Sequence, residues 1–277
     1  TDTSGSIRIP AALHGLDGYK SADKWAQQED VFPLSFTLDR IGPIAYSLQD
    51  CYDVYCLYHQ QRERLLADLS VPEFSVVVPS NESLQDCSEQ VLERFNDALA
   101  VLRNKGVDIV EQPIEAIDAV FEINEKYGTF AAAEALYFHD DVLNSDKVER
   151  INPRVLQRMF RAKSMSAKDF VTLEALRKHW MKQTKEQLAN TIILMPTVAV
   201  EAPLLEPLEK DVDLFNRTNL KVLRNTLVGN FLNWESASLP MGTGEDDLPI
   251  GLMLSSPTIK EDAFFAVAHT LDQWLNG

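Results

Sequence analysis

One segment, residues 74–113, restricts the fold more than any other. It begins with the apolar, β-branched run FSVVV (Phe74–Val78), which predicts a buried strand that ends at Pro79. A long helical pattern follows and ends at Gly106, after which VDIVEQP (Val107–Pro113) predicts a second strand. The apolar residues of this helix recur at helical spacing: Val91, Leu92, Phe95, Leu99 and Leu102. A strand, a long helix and a strand in succession indicate a right-handed crossover and a parallel strand pair.

The rest of the sequence alternates between helical and strand patterns. Helices are predicted, in chain order, near residues 47–67, 115–138, 153–163, 167–189 and 211–227, and over Ile259–Leu275. A further buried strand is predicted at Thr191–Pro196, and two strands near 237–242 and 248–254 are joined by the acidic turn Gly244–Asp247. This succession predicts an α/β fold with a mixed sheet covered by helices.

The charge balance argues against one class of partner, and the distribution of apolar residues argues against another. The chain has 277 residues, with 26 Lys and Arg against 42 Asp and Glu, so its formal net charge is −16. A nucleic-acid-binding protein needs a basic face to neutralise phosphates, and none is visible here. No apolar run approaches the roughly 18 residues of a membrane-spanning helix. We therefore expect neither a nucleic acid nor a membrane as partner.

The cysteines and histidines indicate neither a disulfide framework nor a metal site. The chain has three cysteines, an odd number, and they lack CxxC spacing. This combination is typical of a reducing compartment without a disulfide framework, and we expect a cytoplasmic location. The cysteines are Cys51, Cys56 and Cys87. His139 with Asp140 and Asp141 lacks the i, i+4 ligand spacing of a helical metal site. No GxGxxG or P-loop motif is present, so the sequence implies no cofactor.

The first eight residues, TDTSGSIR, place a Gly-Ser loop between an acid and a base. Successive N–H groups in such a loop can converge on an anion, and Gly5 allows the positive φ that the loop needs. Ser6 ends the loop and is a candidate nucleophile if a base takes its proton. Asp2 and Arg8 can brace the loop through a charge-assisted pair. Taken alone, however, an SGS motif is more often a surface loop with solvated charges.

The segment TDTSGSIRIPAALHGLDGYK (residues 1–20) resembles the amidase signature family, whose pattern is roughly DTGGSIRIPAA followed by GLxGYK. Three further segments are similar to the family in the same order along the chain: Phe32–Asp50, Ile193–Leu205 and Asn230–Gln273. The resemblance implies the amidase-signature fold, in which a mixed, twisted central sheet has helices on both faces. It also implies hydrolysis of linear carboxamides through an acyl-enzyme.

The resemblance assigns a role to each residue of the opening loop. Ser6 matches the serine nucleophile, and Asp2 and Arg8 match the polar pair that supports the loop. The family usually has glycine where this chain has Ser4. If that position needs a positive φ, serine is strained there, and its hydroxyl narrows the pocket floor. The residues whose backbone N–H groups match the oxyanion hole are Thr3, Ser4 and Gly5.

The resemblance also implies a lysine base and a second serine held by a cis peptide bond, both N-terminal to the nucleophile motif. We therefore expect residues 1–277 to be the C-terminal part of a single amidase domain. Such a chain would be inactive alone, and an N-terminal segment of the same enzyme would complete its active site. A homodimer is compatible with this arrangement. Lys20, Ser21 and Lys24 are rejected as substitutes because lysines in such a polar stretch are usually solvated.

Four functions are compatible with the sequence. The first is an amidase acting on a small-molecule amide, and the second is the glutaminase component of a tRNA-dependent amidotransferase. The third is an allophanate- or carbamoyl-type hydrolase, in which Arg158 or Arg161 would hold a substrate carboxylate. The fourth is a catalytically inactive binding or scaffolding protein. Substrate choice is expected to depend on residues 115–165 and on the loop Asn230–Trp234. Aromatic pocket candidates are Phe121, Tyr127, Phe130, Tyr137, Phe138 and Phe160.

Overall fold

A computed structural model describes residues 1–23, 30–62, 64–67 and 74–277. The strands in these ranges are β1 (Asp17–Lys20), β2 (Ile44–Ala45), β3 (Ser75–Pro79), β4 (Ile109–Gln112), β5 (Thr191–Pro196), β6 (Glu235–Thr243) and β7 (Pro249–Ser256). These described strands form one seven-stranded sheet in the order β2-β1-β6-β7-β5-β3-β4. β3 is parallel to β4 and to β5, and the other neighbours are antiparallel. The mixed sheet and the predicted parallel pair are therefore confirmed.

Eleven α-helices within the described ranges accompany this sheet. They are α1 (Arg8–His14), α2 (Leu48–Tyr58), α3 (Glu89–Asn104), α4 (Glu115–Tyr127), α5 (Phe130–Phe138), α6 (Asp140–Leu143), α7 (Pro153–Phe160), α8 (Ala167–Gln187), α9 (Leu205–Lys210), α10 (Val212–Phe231) and α11 (Glu261–Asn276). Among the described residues, none of these helices has both the length and the apolar character needed to cross a membrane.

The strand β5 shows how the sheet is covered on both faces. Its side chains alternate, and every residue of the strand is buried. Ile192 and Leu194 pack into a core that α2, α3 and α11 complete. Ile193 and Met195 point the other way, into a core formed with α4, α8 and α10. An apolar strand buried on both faces is the pattern expected of a central strand between two helical layers, which confirms the predicted architecture.

Three predicted helix boundaries are wrong. The helix predicted over 47–67 ends at Tyr58. The helix predicted over 115–138 is two helices, because the backbone at Gly128 has a φ of 84° and the side chain of Thr129 caps α5. The helix predicted to end at residue 227 continues to Phe231.

The β1 residue Asp17 is a buried carboxyl group without full hydrogen bonding. It is 3% exposed, and among the described residues its Oδ1 atom has no hydrogen-bond partner. Burial and the nearby charge of Asp272 raise the pKa of Asp17 to about 8, although a backbone hydrogen bond from Leu48 acts in the opposite direction. The charged form of Asp17 is therefore disfavoured in the folded protein.

Asp17→Asn should remove a pH dependence of stability. A carboxyl group whose pKa rises on folding contributes stability below its unfolded value, near 4, and that contribution is lost as the pH rises to the folded value. We expect the variant to exceed the wild type by roughly 5 °C or more in unfolding midpoint at about pH 8.5 and to match it at about pH 4. Thermal unfolding of the full-length protein measures this, with exposed Asp108→Asn as the control. Equal shifts at both pH values would contradict the assignment.

Candidate active site

The carboxylate of Asp2 organises the opening loop around itself. Its Oδ1 atom accepts the N–H of Gly5 at 2.7 Å, and its Oδ2 atom accepts the N–H of Ile7 at 3.3 Å. The side chain of Arg8 completes the arrangement, with Nε 3.0 Å from Oδ2 and Nη2 3.1 Å from Oδ1. Both charged side chains are fully buried. Asp2 and Arg8 are therefore an internal ion pair rather than solvated charges.

Asn230, near the end of α10, holds this ion pair from the far end of the chain. Its Nδ2 atom donates to Asp2 Oδ1 at 2.8 Å, and its Oδ1 atom accepts from Arg8 Nη2. Arg8 Nη1 also contacts the sulfur of Met253 at 3.3 Å. Burial acts to raise the pKa of Asp2, but the charge and hydrogen bonds of Arg8 outweigh it, so the pKa of Asp2 lies well below its usual range.

The segment 32–50, the second of the family-like segments, supports the loop through its backbone. The N–H of Asp2 donates to the carbonyl of Arg40 at 2.7 Å, and the N–H of Arg40 donates back at 3.1 Å. The hydroxyl of Thr3 donates to Asp39 Oδ1 at 2.5 Å. Arg40 also donates to Asn233 Oδ1 at 2.6 Å, just beyond α10. Two segments that are distant in sequence thus hold one loop.

The loop turns at Gly5, whose φ is 132°. A Cβ atom at this position would overlap the Oγ1 atom of Thr226 and lie 2.5 Å from Ile9 Cδ1, so only glycine fits. Thr226 Oγ1 also donates to the carbonyl of Ser4 at 2.6 Å. Ser4 itself is not among the non-glycine residues with positive φ. The strain considered for serine at this position is therefore absent.

Ser6 is exposed at the wall of a cavity of about 670 Å³. Thr3 and Ser4 line the same cavity, and the N–H groups of Thr3, Ser4 and Ser6 donate no hydrogen bond to any of the described residues. The N–H of Gly5, in contrast, is taken by Asp2. Gly5 therefore shapes the loop in this structure, while the N–H groups able to bind an anion belong to its neighbours.

The cavity coincides only in part with the predicted substrate region. Tyr127 and Phe130 line it, as do Arg158 and Arg161. Four of the aromatic candidates do not: Phe121, Tyr137, Phe138 and Phe160. Asn230 also lines the cavity, but it lies in a helix and not in the predicted loop.

The lysine and serine rejected as catalytic substitutes have an unexpected environment. Lys20 is fully buried, and its Nζ atom donates to the carbonyls of Trp234 at 2.7 Å and Ser21 at 3.2 Å. The expectation that Lys20 is solvated is therefore wrong. Burial and the charges of Arg8 and Arg40 lower its pKa well below the usual range. Neither Lys20 nor Ser21 lines the cavity of Ser6, and Lys24 lies outside the described residues.

Glu235, at the start of β6, is a buried charged residue that sequence reasoning missed. It accepts hydrogen bonds from the hydroxyl of Tyr19 and, at 2.9 Å, from the N–H of Ala22. Burial raises its pKa. The partners of Glu235 lie more than 200 residues earlier in the chain, so no local pattern could reveal them. The hydrogen bonds of Glu235 connect the start of β6 to β1 and the residues after it, and the hydrogen bond of Lys20 connects β1 to Trp234, which follows α10.

No group of three or more His, Cys, Asp and Glu side chains suited to a metal ion occurs in the part of the chain that the structure describes.

A braced glycine loop that presents a serine to a cavity defines a candidate nucleophile site on a mixed α/β fold. The chain belongs to the amidase family, whose profile matches residues 1–265. It is 27% identical to 2-amino-5-chloromuconic acid deaminase of Comamonas testosteroni over 97% of this chain and 58% of that protein. It is 24% identical to a component of the glutamyl-tRNA(Gln) amidotransferase of Leptospira interrogans over 98% of this chain and 61% of that protein.

A solved structure supports the same fold. Allophanate hydrolase of Kluyveromyces lactis superposes with a TM-score of 0.83 at 20% identity, over 99% of this chain and 45% of that one. The chain spans about half to three fifths of the length of the curated relatives it matches. The architecture predicted from the sequence resemblance is therefore confirmed as an amidase-signature fold.

Proposed function

We propose that this chain carries the nucleophile of a serine amidase and that Ser6 forms the acyl-enzyme. The observation that supports this most directly is the loop itself. Ser6 is exposed to a cavity beside the N–H groups of Thr3 and Ser4, which donate no hydrogen bond among the described residues, while the loop behind it is fixed by the buried pair of Asp2 and Arg8. An ordinary surface loop has no need of a buried ion pair, because taking two charges out of water is costly.

The proposed reaction follows from these positions. The Oγ atom of Ser6 attacks the amide carbonyl carbon and loses its proton to a base. The N–H groups of Thr3, Ser4 and Ser6 stabilise the oxyanion of the tetrahedral intermediate. The C–N bond then breaks, the nitrogen takes a proton and leaves as ammonia or an amine, and an ester on Ser6 remains. Water hydrolyses this ester to a carboxylate and restores the hydroxyl.

The base is proposed from the family resemblance. A neutral lysine acting through a second serine, both preceding the nucleophile motif, would complete the site. On this proposal residues 1–277 are the C-terminal part of one amidase domain and are inactive alone. The proposed partners are an N-terminal segment of the same enzyme and a small amide substrate. A homodimer and a cytoplasmic location stay predictions.

Labelling with a fluorophosphonate tests the proposal in the full-length protein, which comprises residues 1–277 and the proposed N-terminal segment. We expect the probe to modify Ser6, as located by peptide mass spectrometry. Ser6→Ala should abolish both labelling and amide hydrolysis, whereas Ser4→Ala should retain labelling because it keeps the backbone N–H. A full-length protein that hydrolyses amides but is labelled elsewhere would refute the role of Ser6. A folded protein with no labelling and no hydrolysis would favour the scaffolding alternative.

The glutaminase alternative has a specific observation in its favour, the similarity to a component of a glutamyl-tRNA(Gln) amidotransferase. On that alternative the chemistry at Ser6 is the same, but the substrate is glutamine and the released ammonia passes to a partner. Copurification with other proteins of such a complex and a strong preference for glutamine would support it over the simple amidase. The similarity to the solved structure of allophanate hydrolase, at 20% identity, supports the fold and does not favour one substrate over another.

A further inference from the structure

The cavity beside Ser6 contains two arginines that the proposed acyl transfer does not use. Arg158 belongs to α7, and Arg161 belongs to the 3₁₀ turn that follows it. Both line the cavity together with Ser6. Residues three apart on a helical backbone lie on the same face, so both guanidinium groups can be presented to one ligand group.

In the part of the chain that the structure describes, no carboxylate forms an ion pair with Arg158 or Arg161, since no Asp or Glu oxygen lies within 4.0 Å of either. The Nε atom of Arg158 has only a long hydrogen bond, 3.3 Å, to the carbonyl of Arg154 in the preceding turn. The chain has a net charge of −16, so acidic side chains are abundant, yet none of the described ones pairs with either of these two arginines.

The other charged residues of the cavity do not cancel the two arginines. Asp169 lines the cavity, but its carboxylate is engaged in the capping box of α8, where it accepts from the N–H and the hydroxyl of Ser166 at 3.0 and 2.7 Å. Glu125 and Lys126 are adjacent, lie at the end of α4 and carry opposite charges. The balance of the cavity is positive.

The remaining lining is mostly apolar. Its larger apolar side chains include Leu38, Tyr127, Phe130, Met159, Leu227 and Phe231. Such walls accept an aliphatic or aromatic body, while an arginine pair accepts a carboxylate through planar, charge-assisted hydrogen bonds. The cavity therefore offers a nucleophile, an apolar wall and an anion-binding group.

We infer that the substrate is a carboxamide with an apolar body and a carboxylate remote from the amide, and that Arg158 and Arg161 select it by binding that carboxylate. This inference rests on the proposed function of Ser6. It assigns the two arginines to specificity rather than to chemistry. Loss of either arginine should therefore slow the hydrolysis of carboxylate-bearing amides and have little effect on the hydrolysis of neutral amides.

A matched series of substrates tests this in the full-length enzyme. The probes are the monoamides of linear dicarboxylic acids, from succinic to sebacic acid, and the methyl esters of the same monoamides. We expect kcat/KM for the best acid to exceed that of its ester by a factor of about 10–100. Arg158→Gln and Arg161→Gln should each remove most of this preference, mainly through KM, and leave the ester within a factor of about 2.

Lys163→Gln is the matched control, because Lys163 is an exposed cation of the same turn that does not line the cavity. It should leave the preference for the acid intact. Arg161→Lys should retain part of the preference, and unfolding midpoints should show that every variant is folded. A second readout needs no turnover: the acid should slow fluorophosphonate labelling of Ser6 at lower concentration than its ester does.

The outcomes separate this inference from the proposal on which it rests. If Ser6 is labelled but the acid and its ester have equal kcat/KM, the arginines do not bind a carboxylate. The same conclusion follows if both arginine variants lose activity on the acid and on the ester to the same extent. If Ser6 is not labelled in a folded full-length protein, both the nucleophile assignment and this inference fail. A preference for the acid that only the two arginine variants remove supports the inference.

Discussion

Arg8→Met should destabilise the full-length protein by about 3–5 kcal/mol, because it leaves the Asp2 carboxylate buried without its cation. Asp2 is fully buried and accepts two hydrogen bonds from this guanidinium group. Methionine fills a similar volume, so the cost comes from the unpaired charge rather than from a cavity. Urea unfolding at neutral pH measures the loss of free energy of unfolding.

The pH dependence of this variant gives an independent check. In the wild type the pKa of Asp2 is lowered, so the stability from the pair is present above the unfolded pKa and is lost only as the pH falls through the folded value. In Arg8→Met, burial loses its main opponent, although the charge of Lys20 and the hydrogen bond of Asn230 still act against it, and the pKa of Asp2 should rise. The variant should therefore recover stability on acidification from about pH 7 to about pH 4, where the wild type does not.

Two further variants decide whether the unpaired charge is the cause. Asp2→Asn combined with Arg8→Met should be more stable than Arg8→Met alone, because the buried charge is then removed. Arg94→Met is the surface control, since Arg94 forms solvent-exposed ion pairs with Glu93 and Asp97 within α3. It should cost less than about 1 kcal/mol. A similar cost for the two single arginine variants would show that Arg8 is not the internal brace described above.

The opening loop could be predicted because the residues that carry the family resemblance are local, although their pattern taken alone favours a surface loop. The positive φ of Gly5 and the pairing of Asp2 with Arg8 both arise within eight residues. The parallel pair of β3 and β4 was predictable for a similar reason, since the strand, the helix and the second strand follow one another directly. What remains a prediction is the catalytic role of Ser6, which depends on chemistry and not on position alone.

The support around the loop could not be predicted because it comes from distant parts of the chain. Asn230 reaches Asp2 from 228 residues away. The helix α10 was expected to end before Asn230, and Gly229, a poor helix former, favours that interpretation. In the structure a Cβ atom at position 229 would lie 3.3 Å from Arg8 Nη1, so glycine lets the guanidinium approach the helix. Tertiary packing overrides local propensity here.

Lys20 is a second residue whose environment could not be predicted, because its burial also depends on contacts with distant parts of the chain. A lysine in a polar stretch is usually solvated, and nothing near Lys20 in sequence indicates otherwise. Its burial depends on the carbonyl of Trp234, 214 residues later, and on a strand β1 that was not predicted. Charged residues buried by long-range contacts leave no periodic signal, whereas apolar residues do.

Gly5→Ala should lower kcat by about 100-fold or more. It should also cost about 2–5 kcal/mol of stability, because backbone strain at positive φ is combined with steric overlap. The overlap cannot relax by rotation of Thr226, whose hydroxyl is held by the carbonyls of Ser4 and Leu223. The loop must therefore shift, and the N–H groups of Ser4 and Ser6 shift with it. A misplaced oxyanion donor costs about 100-fold or more in kcat. Amide hydrolysis and urea unfolding by the full-length protein are the measurements.

Gly106→Ala separates steric overlap from backbone strain. Gly106 also has a positive φ, 86°, but a Cβ atom there meets nothing within 4 Å. Alanine at position 106 should therefore cost about 1–2 kcal/mol through strain alone and leave kcat unchanged. If Gly5→Ala were no worse than Gly106→Ala in both stability and kcat, the contact with Thr226 would not define the loop. A large loss of kcat in Gly5→Ala at a modest loss of stability would instead locate the effect at the oxyanion donors.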